Sequence, residues 1–156
     1  MNVSEFLAKL RDGRAEWNAL LSSIDEARMI EPGVEGLWSL KDVIAHVTWF
    51  EREMIGLLQA RALAGSELWE LSPDERNAAI FEENRRRTLD DVLDEARQTY
   101  PQLLREVESL SDEDLNDARR FRDMPEEWQP WDVIAGNSYD HYRQHITAIR
   151  AWLEQF

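Results

Sequence analysis

The stretch Trp38-Ser39-Leu40-Lys41-Asp42-Val43-Ile44-Ala45-His46-Val47-Thr48-Trp49-Phe50 decides the fold. Ser39 and Asp42 stand at the spacing of an acidic variant of the capping box, in which each side chain takes a backbone N–H of the other. Beyond that start, Val43, Val47, Phe50, Met54, Leu57 and Leu58 recur every three or four residues, which puts them on one face of an α-helix rather than alternating across a strand. The spacing predicts a helix from Ser39 to about Leu63. His46 borders that stripe, at three and four residues from Val43 and Phe50, and a buried imidazole there needs a partner, because an unpaired buried polar group costs free energy.

The same logic extends in both directions. Toward the N-terminus, Glu31-Pro-Gly-Val-Glu-Gly36 is expected to be a loop, since Pro removes a backbone donor and Gly permits positive φ. Before it, Ser4 is expected to cap a first helix with an apolar face from Phe6 through Leu10 and Trp17 to Ile24, weakened locally by Gly13. Toward the C-terminus, Ser72-Pro73-Asp74-Glu75 opens a short helix to about Arg86. Thr88-Leu-Asp-Asp91 opens a third long helix through Leu93, Leu103 and Val107, which Pro101 is expected to kink or interrupt. Ser111-Asp-Glu-Asp114 marks a brief helical turn, Arg119 to Gln129 reads as irregular, and a final helix runs from about Pro130 to the C-terminus. The run from Trp128 to Ala135 echoes that from Trp38 to Ala45, Trp-x-x-x-Asp-Val-Ile-Ala in both, so the two helix starts are expected to share local geometry.

Four long amphipathic helices each need a partner face, so the fold class is all-α, an antiparallel four-helix bundle with one or two short extra helices. A chain of 156 residues suits a single domain spanning 1–156. Lys and Arg number 18 against 32 Asp and Glu, a formal net charge of −14. That balance is expected to repel phosphate backbones and anionic lipid headgroups, and no basic block is read against it, so neither nucleic acid nor membrane is an expected partner. A small-molecule ligand and a second copy of the chain remain. The absence of cysteine removes disulfides and thiolate chemistry, consistent with a cytoplasmic location.

Chemistry concentrates on histidine. His141 and His145, four residues apart, leave one face of the final helix about a turn from each other. They continue the stripe of Ile134, Ser138, Ile149 and Trp152, so both point inward. Each histidine alone fits an ordinary half-buried residue; with His46, three inward imidazoles on two helices that can neighbour each other fit a divalent metal. Three neutral imidazoles leave a coordination position for water or substrate, the layout of a catalytic site. Zinc, nickel, iron, copper and manganese all suit such ligands. Asn137, a turn before His141, and Glu53, two turns after His46, are candidates for catalysis, and Asp42 for capping or ligand orientation. Trp38, Trp49, Trp128, Trp131 and Tyr139 serve either to wall an apolar cleft or to cover the core.

Trp38-Ser-Leu-Lys-Asp-Val-Ile-Ala-His46, with Trp49 beyond it and a final His-x-x-x-His, resembles the signature of the DinB/YfiT-like superfamily of metal-binding four-helix bundles. Asn77 to Arg86 and Ala135 to His145 resemble its ClbS/DfsB-like branch. The resemblance covers nearly the whole chain and implies an up-down-down-up bundle with metal ligands at His46, His141 and His145. It implies a metal-dependent enzyme, of hydrolase or thiol transferase type, acting on a reactive small molecule in detoxification or self-resistance. A non-catalytic protein that binds or sequesters such a molecule in the same cleft is the alternative.

Overall fold

A computed structural model describes residues 1–155. The helices are α1 (Val3–Ser22), α2 (Leu40–Ala60), α3 (Pro73–Asn84), α4 (Leu89–Glu108), α5 (Asp112–Asn116), α6 (Pro130–Gly136) and α7 (Tyr139–Leu153). A two-stranded hairpin, β1 (Pro32–Glu35) and β2 (Trp38–Ser39), precedes α2. None of the described helices is long and apolar enough to cross a membrane.

Side-chain pairs give the directions of the long helices. Arg52 meets Glu95 at 3.0 Å and Gln59 meets Glu106 at 3.1 Å, so residue numbers rise together and α2 runs parallel to α4. Phe6 against Tyr139 and Glu16 against Arg150 make α1 parallel to α7. Across the pairs the order inverts: Arg11 reaches Glu108 while Arg14 reaches the Ala96 carbonyl, and His46 faces His145 while Glu51 faces Tyr142. The bundle is therefore up-down-down-up, as the resemblance implied. Parallel neighbours that follow each other in the chain need a long crossover, supplied for α2 and α4 by the segment 61–88.

Four local expectations are corrected. The cap of α1 is Asn2, whose side chain accepts from the Glu5 N–H at 2.8 Å, so the helix starts earlier than Ser4 allows. The segment expected to be a loop at Glu31–Gly36 forms most of the hairpin, with φ at +109° for Gly33 and +61° for Gly36, values that favour glycine. Pro101 neither ends nor interrupts α4; the carbonyl it leaves without a helical donor belongs to Arg97, an exposed residue, where the loss costs little. The last helix is not continuous: it breaks at Asn137 and Ser138, whose side chains bond back to the Val133 and Ile134 carbonyls at 2.8 and 2.7 Å and replace helical donors. The end of the chain was also expected to be helical, and Phe156 lies outside the described residues.

Other boundaries follow their caps. Ser39, Ser72, Thr88 and Ser111 each accept the backbone N–H three residues on, as the sequence pattern predicted. Helix α2 stops at Ala60, short of Leu63, because Arg61 turns left-handed at φ +50° and the chain leaves to pair with Arg122. The echoed start at Trp128 differs from the first: no side chain caps α6, and Trp128 is 43% exposed, whereas Trp38 packs on Phe81. The core runs the length of the bundle, with Phe6, Leu10, Trp17, Ile44, Leu103 and Ile149 essentially inaccessible. A smaller cluster of Trp49, Phe50 and Ile80 lies under α3.

Candidate metal centre

Because α2 and α7 are antiparallel neighbours, His46 sits opposite the His141–His145 pair. The His46 and His141 Nε2 atoms are 3.1 Å apart, and His141 and His145 Nε2 2.9 Å. One nitrogen from each ring lies within 4.8 Å of the other two. All three residues are buried, with 4% to 8% of their surfaces exposed. Trp38 covers His46 at a ring separation of 5.1 Å, and Phe50 packs edge-on to His141 at 4.6 Å.

Glu35, carried by the hairpin, completes the cluster. Its carboxylate accepts from the His145 Nδ1–H at 2.5 Å, which leaves a lone pair on Nε2 directed at the other rings. Burial, with a smaller contribution from His145, pushes the His46 imidazole down to about 3. His141 is pushed down to about 2 by the same burial and by His145 and His46. Both are neutral at physiological pH, the ligating form. Their Nδ1 atoms are buried with no hydrogen-bond partner among the described residues, so the cluster is not closed by protein hydrogen bonds alone. Inward nitrogen lone pairs, neutral rings and one carboxylate-anchored imidazole are the donor set a divalent transition metal requires.

Among the described residues, the hydrogen bonds of the other polar candidates, Asp42, Glu53 and Asn137, go elsewhere than to the three rings. Asp42 caps α2 through Ser39. Glu53 Oε1 accepts from the Ser66 N–H and from the Trp69 Nε1–H, both at 2.7 Å. Asn137 Nδ2 donates to the Val133 carbonyl. Glu53 and Asn137 instead line a cleft of about 630 Å³ beside the histidines, with Met54, Leu57, Trp69 and Trp128. Phe50 stands between, its ring 4.6 Å from His141 and 5.6 Å from Trp69. Of the aromatic set read from the sequence, only Trp128 lines this cleft; Trp49 and Tyr139 are buried in the core.

Two features escaped the sequence reading. Glu35 gave no signal, because its partner lies 110 residues away. The second is a buried polar network: Arg14 Nη1 donates to both Glu51 oxygens at 3.1 and 3.0 Å, and the Tyr142 hydroxyl donates to Glu51 Oε2 at 2.6 Å. Burial works against the Arg14 charge, but Glu51 and Tyr142 together more than offset it and hold the guanidinium above its ordinary value. Burial likewise pushes the Tyr142 hydroxyl well up. A signal existed here, since Arg14 interrupts the stripe of Leu10 and Trp17.

None of the curated proteins matches the chain. Among solved structures, the sibling lethal factor precursor DfsB aligns with a TM-score of 0.83 at 16% identity, covering 99% of this chain and 96% of its own. A protein from Streptococcus pneumoniae aligns at 0.80 and 14% identity, covering 99% and 91%. The colibactin self-resistance protein ClbS, solved in complex with a dsDNA, aligns at 0.79 and 11% identity, covering 96% and 94%. That complex corrects the exclusion of nucleic acid drawn from net charge, because a protein of this fold does bind duplex DNA. Net charge is a sum over the molecule, whereas phosphates are met by local groups; in this chain Arg85, Arg86 and Arg87 are consecutive, and Arg119, Arg120 and Arg122 share one segment. The profile of the DinB superfamily matches residues 9–149, nearly the whole bundle, so this chain belongs to the DinB superfamily.

Proposed function

We propose that His46, His141 and His145 hold a divalent transition metal and that the protein is a metal-dependent enzyme acting on a reactive small molecule, hydrolytic or thiol-transferring in type. The observation that carries this reading is the convergence of three buried imidazole nitrogens, two of them on rings held neutral, with the third ring anchored by Glu35. Zinc, nickel, iron and manganese all accept this donor set. When bound, such an ion supplies Lewis acidity and lowers the pKa of a coordinated water or thiol. Glu35 fixes the tautomer and direction of His145. Trp38 and Phe50 exclude water from the rings. Glu53 and Asn137 contact the bound molecule in the adjoining cleft, where they orient it.

A sequestering role without turnover is supported by a separate observation: Glu53 and Asn137 are engaged in structural hydrogen bonds, and Phe50 stands between them and the histidines. Metal analysis of protein purified without an affinity tag tests the first reading. Stoichiometric metal, lost in His141→Ala, is expected; metal-free protein that takes up none of these ions on titration overturns it. Mass spectrometry of electrophilic small molecules incubated with the loaded protein separates the two, since a sequestering protein returns them unchanged.

A further inference from the structure

The cleft beside the histidines has a one-sided chemistry. Its lining holds two carboxylates, Glu53 and Glu70, and no Lys, Arg or His. Glu53 is held in place through Oε1 alone, by the Ser66 N–H and the Trp69 indole, and Oε2 has no hydrogen-bond partner among the described residues. Asn137 donates one amide N–H to the Val133 carbonyl, which fixes the amide with its oxygen still able to accept from a ligand. The charged groups of the lining are therefore carboxylates alone. The apolar floor is Met54, Leu57 and Leu63. Two indoles line it: Trp69 already carries the Arg76 guanidinium 4.7 Å over its ring, whereas Trp128 remains 43% exposed.

Acceptors, π faces and an apolar floor together match one ligand chemistry. An ammonium donates three hydrogen bonds, is attracted to indole faces and is drawn by carboxylates, and a chain of net charge −14 draws cations from solution. An anion meets like charge with no cationic side chain in the lining. A neutral apolar molecule leaves Glu53 Oε2 desolvated without a partner. We infer that this cleft selects an organic amine in its cationic form, an aromatic or aliphatic body on the Met54–Leu57 floor with its ammonium between Glu53 and the Trp128 indole. This rests on the small-molecule reading above and adds the substrate class. Seven residues along α2 separate Glu53 from His46, about 10 Å at the helical rise, so an amine anchored at Glu53 has its far end, not its nitrogen, nearest the histidines.

The test is calorimetric titration of the full chain with phenethylamine, with 2-phenylethanol as uncharged isostere and 3-phenylpropanoate as anion. The amine is expected to bind about tenfold or more tighter than the alcohol, with the anion weakest. Glu53→Gln, which keeps the Oε1 acceptor for Ser66 and Trp69, and Glu70→Gln, on an exposed side chain, should each shrink the amine-to-alcohol ratio. Equal affinities for amine and alcohol, no saturation by the amine, or an unchanged ratio in both variants would overturn the inference. His141→Ala separates it from the metal reading: amine selectivity that persists in a variant or a wild type lacking metal leaves the cleft assignment standing while the enzyme reading fails, and metal binding without amine selectivity does the reverse.

Discussion

His46 and His141 keep neutral rings in a place where the unfolded chain would protonate them. An unfolded imidazole takes up its proton near pH 6.5, whereas these two hold out until about 3 and about 2. The folded state therefore binds fewer protons over that interval, and stability is full above about pH 6.5 and falls as pH drops toward 3. Urea unfolding in the presence of a chelator should show this loss, and His46→Phe should reduce its slope. Glu35 belongs to the same scale. Glu35→Ala removes the acceptor that orients His145 and is expected to weaken metal affinity about 10–100-fold while the helical signal is unchanged, measured by competition with a chromophoric chelator. The histidines were legible in the sequence because helical spacing alone says which way a side chain faces. Glu35 was not, because a hairpin residue meets its partner only once the chain has closed over α7.

Caps made the elements legible: Ser39, Ser72, Thr88 and Ser111 each announce a helix by local hydrogen bonding that no distant contact has to support. Interruptions were less legible. Pro101 reads as a break and is not one, since its cost falls on an exposed face, whereas Asn137 and Ser138 read as helical and break it through their side chains. Gly13 is the instructive case. In the sequence it only weakens α1; in the fold a Cβ added there would lie 3.0 Å from the Tyr139 Cβ of α7. Gly13→Leu should therefore cost about 1–3 kcal/mol in denaturant unfolding. Gly56, with open space around it on α2, should instead gain stability on Gly56→Ala, by up to about 1 kcal/mol.

At the scale of the molecule, the helix order follows from the long crossover 61–88, which sets α4 parallel to α2. Helices α1, α2 and α7 are joined by the Arg14–Glu51–Tyr142 network. Such a pair is retained for how it joins helices more than for net energy, but removing one member leaves a buried charge alone: Glu51→Ala should cost about 3–5 kcal/mol by the same unfolding measurement. Net charge was the weakest of the whole-molecule readings, because it averages over the local arginine runs that decide what a surface meets. Three imidazoles from two antiparallel helices are proposed to form one metal centre. Its test is anomalous diffraction from crystals of tag-free protein, collected across the absorption edges of zinc, nickel, iron and manganese. A single peak within bonding distance of Nε2 of His46, His141 and His145 is predicted; no peak there after soaking in each of the four metals, with the three rings instead hydrogen-bonded to one another, would contradict it.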